Sequence, residues 1–216
     1  MDGFTMAALT KIYPHNSFDL LCYGNTPKGS AYRQAVKTHT VFFASAHLAD
    51  NPAFLPDQMI SIIAIPRGGM ATADGLQEAF SKMTLEPDKI RMIVSQCKTI
   101  SKDLYPKEIF EKTTSLVIAD GIIGTGKTVI DHLKEIPREW KGTITIFANA
   151  AAEIGIESIR LHAVSMNQFI KIIVGRLFNE KECDWIISSH KKVYSLGYNK
   201  EQKVDYQLPD FGDYFS

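Results

Sequence analysis

The segment Ser115–Leu133 constrains this chain more than any other part of its sequence. It begins with the short apolar run Ser115–Ala119, passes through Asp120 and a loop rich in glycine and threonine, and ends in a pattern typical of a helix. A loop of this kind between a strand and a helix exposes consecutive backbone N–H groups, and the first helical turn adds more. Hydroxyl groups and a lysine in the loop can contribute further donors. The segment therefore predicts a binding site for a phosphate group.

Strands and helices are predicted to alternate along the chain. Near-continuous apolar runs indicate buried parallel strands, with helical patterns between them. The predicted strands are Met59–Ile65, Ile90–Ser95, Ser115–Ala119, Thr143–Ala148 and Ile170–Val174, and the predicted helices are Ala31–Ala49, Thr72–Ser81, Gly126–Ile136 and Ile154–Leu161. This alternation is typical of an α/β fold, in which ligands bind beyond the carboxyl ends of the strands. The glycine-rich loops after Ile65 and Ala119 are both expected at that edge.

Length and composition set the broad class of the protein. The chain has 216 residues, of which 45% are hydrophobic, so we predict one domain over residues 1–216. Its 24 basic and 24 acidic residues give no net charge, which argues against a nucleic acid partner. Three cysteines without metal-ligand spacing favour a reducing, cytoplasmic setting. No apolar segment reaches the roughly 18 residues of a membrane span, so no membrane association is expected.

A long polar connection, Gln96–Thr114, separates the second and third predicted strands. It carries four lysines and one proline. Connections of this length are uncommon unless they act as lids or binding loops. Both a mobile lid and an ordinary solvated loop fit the pattern.

One interpretation of the phosphate loop is a nucleotide P-loop, because the residues from Gly121 match G-x-x-x-x-G-K-[ST]. A P-loop NTPase also needs a second strand that ends in an aspartate holding magnesium. The later predicted strands lead instead into Asn149 and Gly175, and well over half of the chain precedes the loop. The P-loop is therefore the less favoured interpretation.

The residues Asp120–Thr128 also resemble the phosphoribosyl pyrophosphate (PRPP) loop of type I phosphoribosyltransferases. In that family an acidic residue after a strand binds the ribose hydroxyls, and a Thr-Gly-x-Thr turn binds the 5′-phosphate. The resemblance is greatest to uracil phosphoribosyltransferases, whose loop D-P-x-[LI]-A-T-G-[GA]-S likewise has a single acidic residue.

Two other segments resemble the same family. Ile63–Leu76 is similar to its pyrophosphate loop, R-A-G-L-x-x-x-D-G-L. The positions that match in register are Arg67, Gly69, Asp74, Gly75 and Leu76. Tyr206–Phe215 is similar to its base-recognition segment, Y-I-[VL]-P-G-[LF]-G-D. Weaker similarity over residues 26–49 and 151–159 extends the resemblance to most of the chain.

The chain also departs from this family at several positions. The lid, which begins Y-R-D-P-E-T in the family, reads Gln96-Cys-Lys-Thr99 here, so Lys98 is the residue that could replace the lid arginine. Lys127 stands where the family has a small residue, the C-terminus is shorter, and residues 180–205 form a longer segment than the family requires.

The resemblance implies a type I phosphoribosyltransferase fold: a parallel twisted sheet flanked by helices, with a small hood from the terminal segments. It implies a pentosyltransferase that converts uracil and PRPP to UMP and pyrophosphate in pyrimidine salvage. Mg²⁺ would be the cofactor, and a homodimer or higher homo-oligomer is expected. Three alternatives stay open: another nucleobase, a PRPP-sensing regulator on the same fold, and a P-loop kinase.

The resemblance also implies the site residues. Those expected to bind PRPP are Arg67, Gly68, Gly69, Lys98, Asp120, Gly121, Gly124, Thr125, Gly126, Lys127 and Thr128. Those expected to bind the base are Gln207, Leu208, Gly212, Asp213 and Tyr214. The expected catalytic residues are Arg67, which spreads pyrophosphate charge, Asp120, which accepts from ribose hydroxyls, and Asp213, which orients water or magnesium. No direct protein ligand to the metal is expected, since PRPP would hold most of it, with Asp213 reaching it through water.

Purely structural roles for these residues also fit the sequence. Gly68 and Gly69 could serve only a tight turn, and Asp120 could cap a helix. Asp74 is interpreted as a structural residue near the start of its helix. The aromatic tail could simply seal the core.

Overall fold

The computed structural model describes residues 8–14, 29–51, 59–66, 68–83, 87–94, 105 and 107–179. Six strands alternate with five helices in this part of the chain. The strands are β1 (Ala8–Ile12), β2 (Ile60–Ala64), β3 (Ile90–Val94), β4 (Ser115–Ile123), β5 (Thr143–Ala152) and β6 (Ile170–Phe178), and the helices are α1 (Ser30–Asp50), α2 (Gly68–Lys82), α3 (Lys107–Lys112), α4 (Lys127–Lys134) and α5 (Glu153–Met166). A short 3₁₀ turn, Pro87–Lys89, leads into β3.

The six strands form one parallel sheet in the order β1-β6-β5-β4-β2-β3. From β2 the chain crosses through α2 to β3 at one edge, then returns to β4 on the other side of β2. From β4 it continues through β5 to β6. The direction of the connections therefore reverses between β2 and β4, and such a reversal opens a crevice at the carboxyl ends of the two strands.

Apolar side chains cover both faces of the sheet. On one face α1 and α2 pack against β2 and β5 through an aromatic cluster that includes Phe43, Phe80 and Phe147, all inaccessible to solvent. On the other face α3, α4 and α5 cover β4, β5 and β6 with aliphatic side chains. Helices on both faces explain why the strands read as continuous apolar runs rather than alternating ones. The predicted α/β class, a parallel sheet flanked by helices, is confirmed.

The regular pairing of β4, β5 and β6 is interrupted at one residue in each strand, and these three neighbouring residues form an irregular row across the sheet. Ladder pairing runs on both sides of Gly121, Asn149 and Gly175 but skips these three residues. In the part of each strand before the row, even-numbered residues such as Ala148 face the α4–α5 layer. In the part after the row, odd-numbered residues such as Ala151 face that layer. Each of the three strands thus contains one extra residue at the same level, as in a β-bulge, and then continues.

This row corrects three of the predicted strand ends. The strands predicted to stop at Ala119, Ala148 and Val174 extend to Ile123, Ala152 and Phe178. The polar and glycine residues that follow the predicted ends belong to the irregular row. After this row the three strands pair again, over residues that the predicted boundaries had placed outside the strands.

Other corrections concern element starts and short elements. The helix predicted from Thr72 begins at Gly68, so Asp74 lies within α2, half-buried, rather than near its start. β1 was not predicted, and neither was α3, which lies within the polar connection Gln96–Thr114. Among the described residues, no helix is long and apolar enough to span a membrane.

Thr145 in β5 provides a stability test of the core. Its side chain is fully buried, and among the described residues its hydroxyl has no hydrogen-bond partner. Thr145→Val keeps the shape and removes the unsatisfied hydroxyl, so we expect the free energy of unfolding to rise by about 1 kcal/mol. Urea denaturation of the two proteins measures this difference. A less stable valine variant would show that the hydroxyl is satisfied.

Candidate functional site

The two glycine-rich loops meet at the crevice between β2 and β4. The backbone N–H of Ile65, just after β2, donates to the carbonyl oxygen of Ala119 at 3.0 Å. Gly69 lies against the same carbonyl: a Cβ at this position would be 2.2 Å from the Ala119 oxygen, far inside van der Waals contact. Only glycine allows this approach, so Gly69 has a packing role that a turn alone would not require.

The N-terminus of α2 forms one wall of the crevice. The helix begins at Gly68 and Gly69, both buried, and its first turn carries no acidic side chain. The positive end of the helix dipole and the first backbone N–H groups therefore lie beside the Ala119 carbonyl without compensation by an acidic side chain of that turn. This arrangement suits an anion.

The N-terminus of α4 forms the second anion-binding element. Residues 124–126 leave β4, and Gly126 precedes the helix with φ 75°, a left-handed conformation that favours glycine. The hydroxyl of Thr125 accepts a hydrogen bond from the Lys127 backbone N–H at 3.3 Å. No side chain caps the helix from Gly126, and the first turn of α4 has no acidic residue.

Gly155 in α5 supports this loop from below. A Cβ on Gly155 would lie 2.1 Å from the Gly124 carbonyl oxygen, and a Cβ on Gly126 would lie 2.6 Å from the Gly155 carbonyl oxygen. The loop and the first turn of α5 are thus in backbone contact. Sequence analysis matched this helix to the family but gave Gly155 no role; its signal was a glycine inside the first turn of an otherwise good helix.

Asp120 lies within β4, four residues before the loop that leads to α4. It directly follows Ala119 and pairs with Ala148 of β5. The side chain is half-buried. The alternative of a helix cap is wrong, because the residue that precedes α4 is Gly126.

Lys127 points along α4. Its ammonium lies 3.0 Å from an Asp131 carboxylate oxygen, and Lys134 approaches the other oxygen at 3.0 Å. Burial opposes ionisation of Asp131, but the hydrogen bonds from Lys134 and Lys127 lower its pKa. The Lys127 side chain is 81% exposed, and an ion pair so exposed contributes little to stability. The ammonium can therefore exchange Asp131 for a ligand phosphate at small cost.

The course of β4 disfavours the P-loop interpretation further. Ile122 and Ile123 pair with Ala150 and Ala151 in the sheet. A P-loop that starts at Gly121 needs these residues outside the sheet, with their N–H groups turned toward a phosphate. The loop between β4 and α4 has only three residues, 124–126.

The long connection before β4 is anchored to α4 at Tyr105. This side chain is buried, and its hydroxyl shares a hydrogen bond with His132 Nδ1. Burial, and then the nearby charge of Glu135, raise the pKa of Tyr105, while burial lowers the pKa of His132. The phenol therefore stays protonated beside a neutral imidazole. The contact joins the connection to the helix that begins at the phosphate loop.

Several predicted site residues lie outside the described residues. They are Arg67, Lys98, Gln207, Leu208, Gly212, Asp213 and Tyr214. The start of the lid, the 180–205 segment and the C-terminal hood lie outside them as well. Among the residues that the structure does describe, no group of three or more His, Cys, Asp or Glu side chains is placed to hold a metal ion.

Comparison with known proteins gives matches of structure and none of sequence. No protein-family model matches the chain, and no curated protein matches it. The AQ2163 protein of Aquifex aeolicus has a similar structure: TM-score 0.66, 16% identity, with 96% of this chain and 97% of that one covered. The likeness is one of fold.

Phosphoribosyltransferases are also among the similar structures. The adenine phosphoribosyltransferase of Leishmania tarentolae matches with TM-score 0.48 and 11% identity over 84% of this chain and 95% of that one. The hypoxanthine-guanine phosphoribosyltransferase of Schistosoma mansoni, in complex with IMP, matches with TM-score 0.41 and 14% identity over 77% and 82%. At these values we draw no functional conclusion from them.

Proposed function

We propose that this chain is a phosphoribosyltransferase that binds PRPP in the crevice between β2 and β4. One observation carries the proposal: α2 and α4, which follow the neighbouring strands β2 and β4, both begin without an acidic side chain in their first turns, and Asp120 lies in β4. PRPP has a phosphate at one end, a pyrophosphate at the other and ribose hydroxyls between them. Two anion sites separated by a carboxylate match that order of groups.

Each element of the crevice has a role in this proposal. Backbone N–H groups at Gly68 and Gly69 hold the pyrophosphate, together with the Arg67 side chain. The turn from Gly124 to Thr128 holds the 5′-phosphate, and Lys127 reaches it after leaving Asp131. Asp120 accepts hydrogen bonds from the ribose hydroxyls.

These contacts would accelerate transfer by positioning and charge neutralisation. As the bond to pyrophosphate breaks, positive charge develops on the ribose and negative charge on the leaving group. The N-terminus of α2 stabilises the leaving group, and the Asp120 carboxylate stabilises the ribosyl cation-like state. The base nitrogen then forms the new bond to the ribose carbon that pyrophosphate leaves, and the proton of that nitrogen passes to the departing pyrophosphate or to water.

Mg²⁺ fits this site only as an ion carried mainly by the substrate. Asp120 is a single carboxylate, and Mg²⁺ is commonly held by one or two carboxylates together with substrate phosphates. When bound, the ion would neutralise part of the pyrophosphate charge.

Uracil is the base that we propose, because of the resemblance of Tyr206–Phe215 to a uracil-recognition segment. The proposed base contacts are the main chain of Gln207 and Gly212 beside Leu208, Asp213 and Tyr214. Assembly as a homo-oligomer remains part of the proposal on the same ground.

Binding calorimetry separates the proposed site from a nucleotide site. We expect PRPP with Mg²⁺ to bind and ATP with Mg²⁺ not to bind, since the loop after β4 is too short to enclose a triphosphate in the P-loop manner. Tight binding of ATP without binding of PRPP would contradict the proposal.

A panel of nucleobases then tests the reaction itself. Pyrophosphate release from PRPP is measured with uracil, hypoxanthine, guanine or adenine, and uracil is expected to give the fastest release. Release with a purine alone would keep the transferase and replace the base. Binding of PRPP with no release for any base would favour a PRPP-sensing regulator.

A further inference from the structure

A cluster of buried polar side chains lies between the sheet and the two helices on its α1–α2 face. Its members are His39 and Thr40 of α1, Thr72 of α2 and Asn149 of β5, each at most 2% exposed. Polar groups at such depth are expensive unless all of them are hydrogen-bonded. Their presence beside the aromatic core calls for a reason beyond packing.

The Asn149 amide is hydrogen-bonded at both of its polar atoms. Its oxygen accepts from the Thr72 hydroxyl at 2.7 Å. Its nitrogen donates to the Thr40 hydroxyl and to His39 Nδ1, both at 2.9 Å. The Thr40 hydroxyl in turn donates to the Val36 carbonyl at 2.9 Å. In either orientation the amide therefore bonds Thr72 on one side and His39 on the other.

Thr72 connects this amide to the start of α2. Its hydroxyl lies 3.3 Å from the carbonyl oxygen of Gly68, one helical turn earlier. Gly68 is the first residue of α2. The hydroxyl has one proton, and Asn149 is the nearer acceptor, so Asn149 holds Thr72 and acts on Gly68 through the helix backbone, one turn away.

Asn149 also has a fixed place on the sheet. It lies in the irregular row with Gly121 and Gly175, directly after Ala148, which pairs with Asp120. Gly175 leaves room for the His39 ring, since a Cβ there would be 2.3 Å from the ring. One side chain thus joins the strand region beside Asp120 to Thr72, one turn into α2.

We propose that Asn149, acting through the hydroxyl of Thr72, is a positioning residue for the pyrophosphate half of the crevice. This inference rests on the proposed function. The Asn149–Thr72 hydrogen bond sets the direction of the α2 N-terminus relative to Asp120. In this orientation the N–H groups at the start of α2 point toward the pyrophosphate. The side chains of Asn149 and Thr72 do not themselves contact the ligand.

The test compares two buried threonines that bond the same amide from different helices. Thr72→Val and Thr72→Ala remove the hydroxyl by which α2 bonds Asn149, and Thr72→Ser keeps it. Thr40→Val removes an equally buried hydroxyl by which α1 bonds Asn149. Thermal unfolding gives the stability of each variant, and calorimetry gives affinities for magnesium pyrophosphate and for ribose 5-phosphate. Alanine is the best helix former, so Thr72→Ala provides a folded protein if the valine variant fails.

The expected result is a loss confined to one ligand. Thr72→Val and Thr72→Ala should weaken pyrophosphate binding about tenfold, as for one misplaced charge-assisted hydrogen bond, and leave ribose 5-phosphate binding nearly unchanged. Thr72→Ser should restore pyrophosphate binding. Thr40→Val should lower the unfolding temperature comparably but bind both ligands as the unmodified protein does.

Three outcomes overturn the inference while the proposed function stands. They are normal pyrophosphate binding by both Thr72→Val and Thr72→Ala, equal loss of both ligands in these variants, and an equal loss of pyrophosphate binding in Thr40→Val. If the unmodified protein binds neither pyrophosphate nor ribose 5-phosphate, the proposed function fails and this inference fails with it.

Discussion

Replacement of Gly69 by alanine is expected to abolish PRPP binding and to destabilise the protein. The added Cβ would lie 2.2 Å from the Ala119 carbonyl oxygen and 3.2 Å from the Ile65 side chain. Ala119 lies in β4 and the buried Ile65 directly follows β2, so neither can retreat and the start of α2 must move away. Overpacking of this kind costs about 3 kcal/mol in the free energy of unfolding. The displaced N–H groups no longer face the crevice.

Gly29→Ala is the matched control for this variant. It adds the same methyl group at a position where nothing lies within 4 Å, although the φ of 79° makes alanine somewhat strained there. Urea denaturation and PRPP calorimetry on both variants make the comparison. A Gly69→Ala protein as stable as Gly29→Ala, with normal PRPP affinity, would disprove the close contact between the two loops.

Asp120→Asn should reduce PRPP affinity strongly and leave the fold intact. The replacement is nearly isosteric, so β4 and its pairing with Ala148 should persist. Loss of charge-assisted hydrogen bonds to the ribose hydroxyls corresponds to about 1.5–3 kcal/mol, or roughly 10- to 150-fold in the dissociation constant. Calorimetry with PRPP and Mg²⁺ measures the change.

Asp74→Asn controls for the change in net charge. Asp74 is also half-buried but lies well inside α2, away from its N-terminus. Its replacement should leave PRPP affinity unchanged. If Asp120→Asn binds PRPP as tightly as Asp74→Asn does, the carboxylate in β4 is structural and the ribose lies elsewhere.

The class of the fold could be predicted from the sequence because helices cover both faces of the sheet. Each central strand then appears as an uninterrupted apolar run, and such runs separated by helical patterns indicate a parallel α/β sheet. The edge strand β1 escaped prediction because its five residues include Thr10 and Lys11 and it pairs on one side only.

The ends of β4, β5 and β6 could not be predicted, for a physical reason. Asp120-Gly121, Asn149 and Gly175 each follow an apolar run and read as the end of a strand. In the sheet they lie side by side in one irregular row, so each interruption is accommodated by the other two. Continuation of each strand after its interruption depends on the pairing with its neighbours, so the sequence of one strand alone does not predict it.

Part of the candidate site could be predicted because its loops carry a signal that is local in the sequence. Glycine after a buried strand is a local signal, and it led to Gly69 and Gly126. Thr72 and Asn149 carry no such signal, since their partners lie 77 positions apart in the chain and meet only when α2 packs on the sheet.

The contact between Gly69 and Ala119 has a consequence for how a ligand would be received. Two loops that share a backbone contact cannot open independently, so the inner part of the crevice is one rigid platform joined to the core of the sheet. Its ordering cost is met when the chain folds, not when a ligand arrives. Preorganisation of this kind leaves the binding energy of the phosphate groups available for closing other segments over the ligand. Affinity for small anions should therefore change little as the loops loosen with rising temperature. A small ligand such as pyrophosphate should bind its half of the crevice without any rearrangement of these loops.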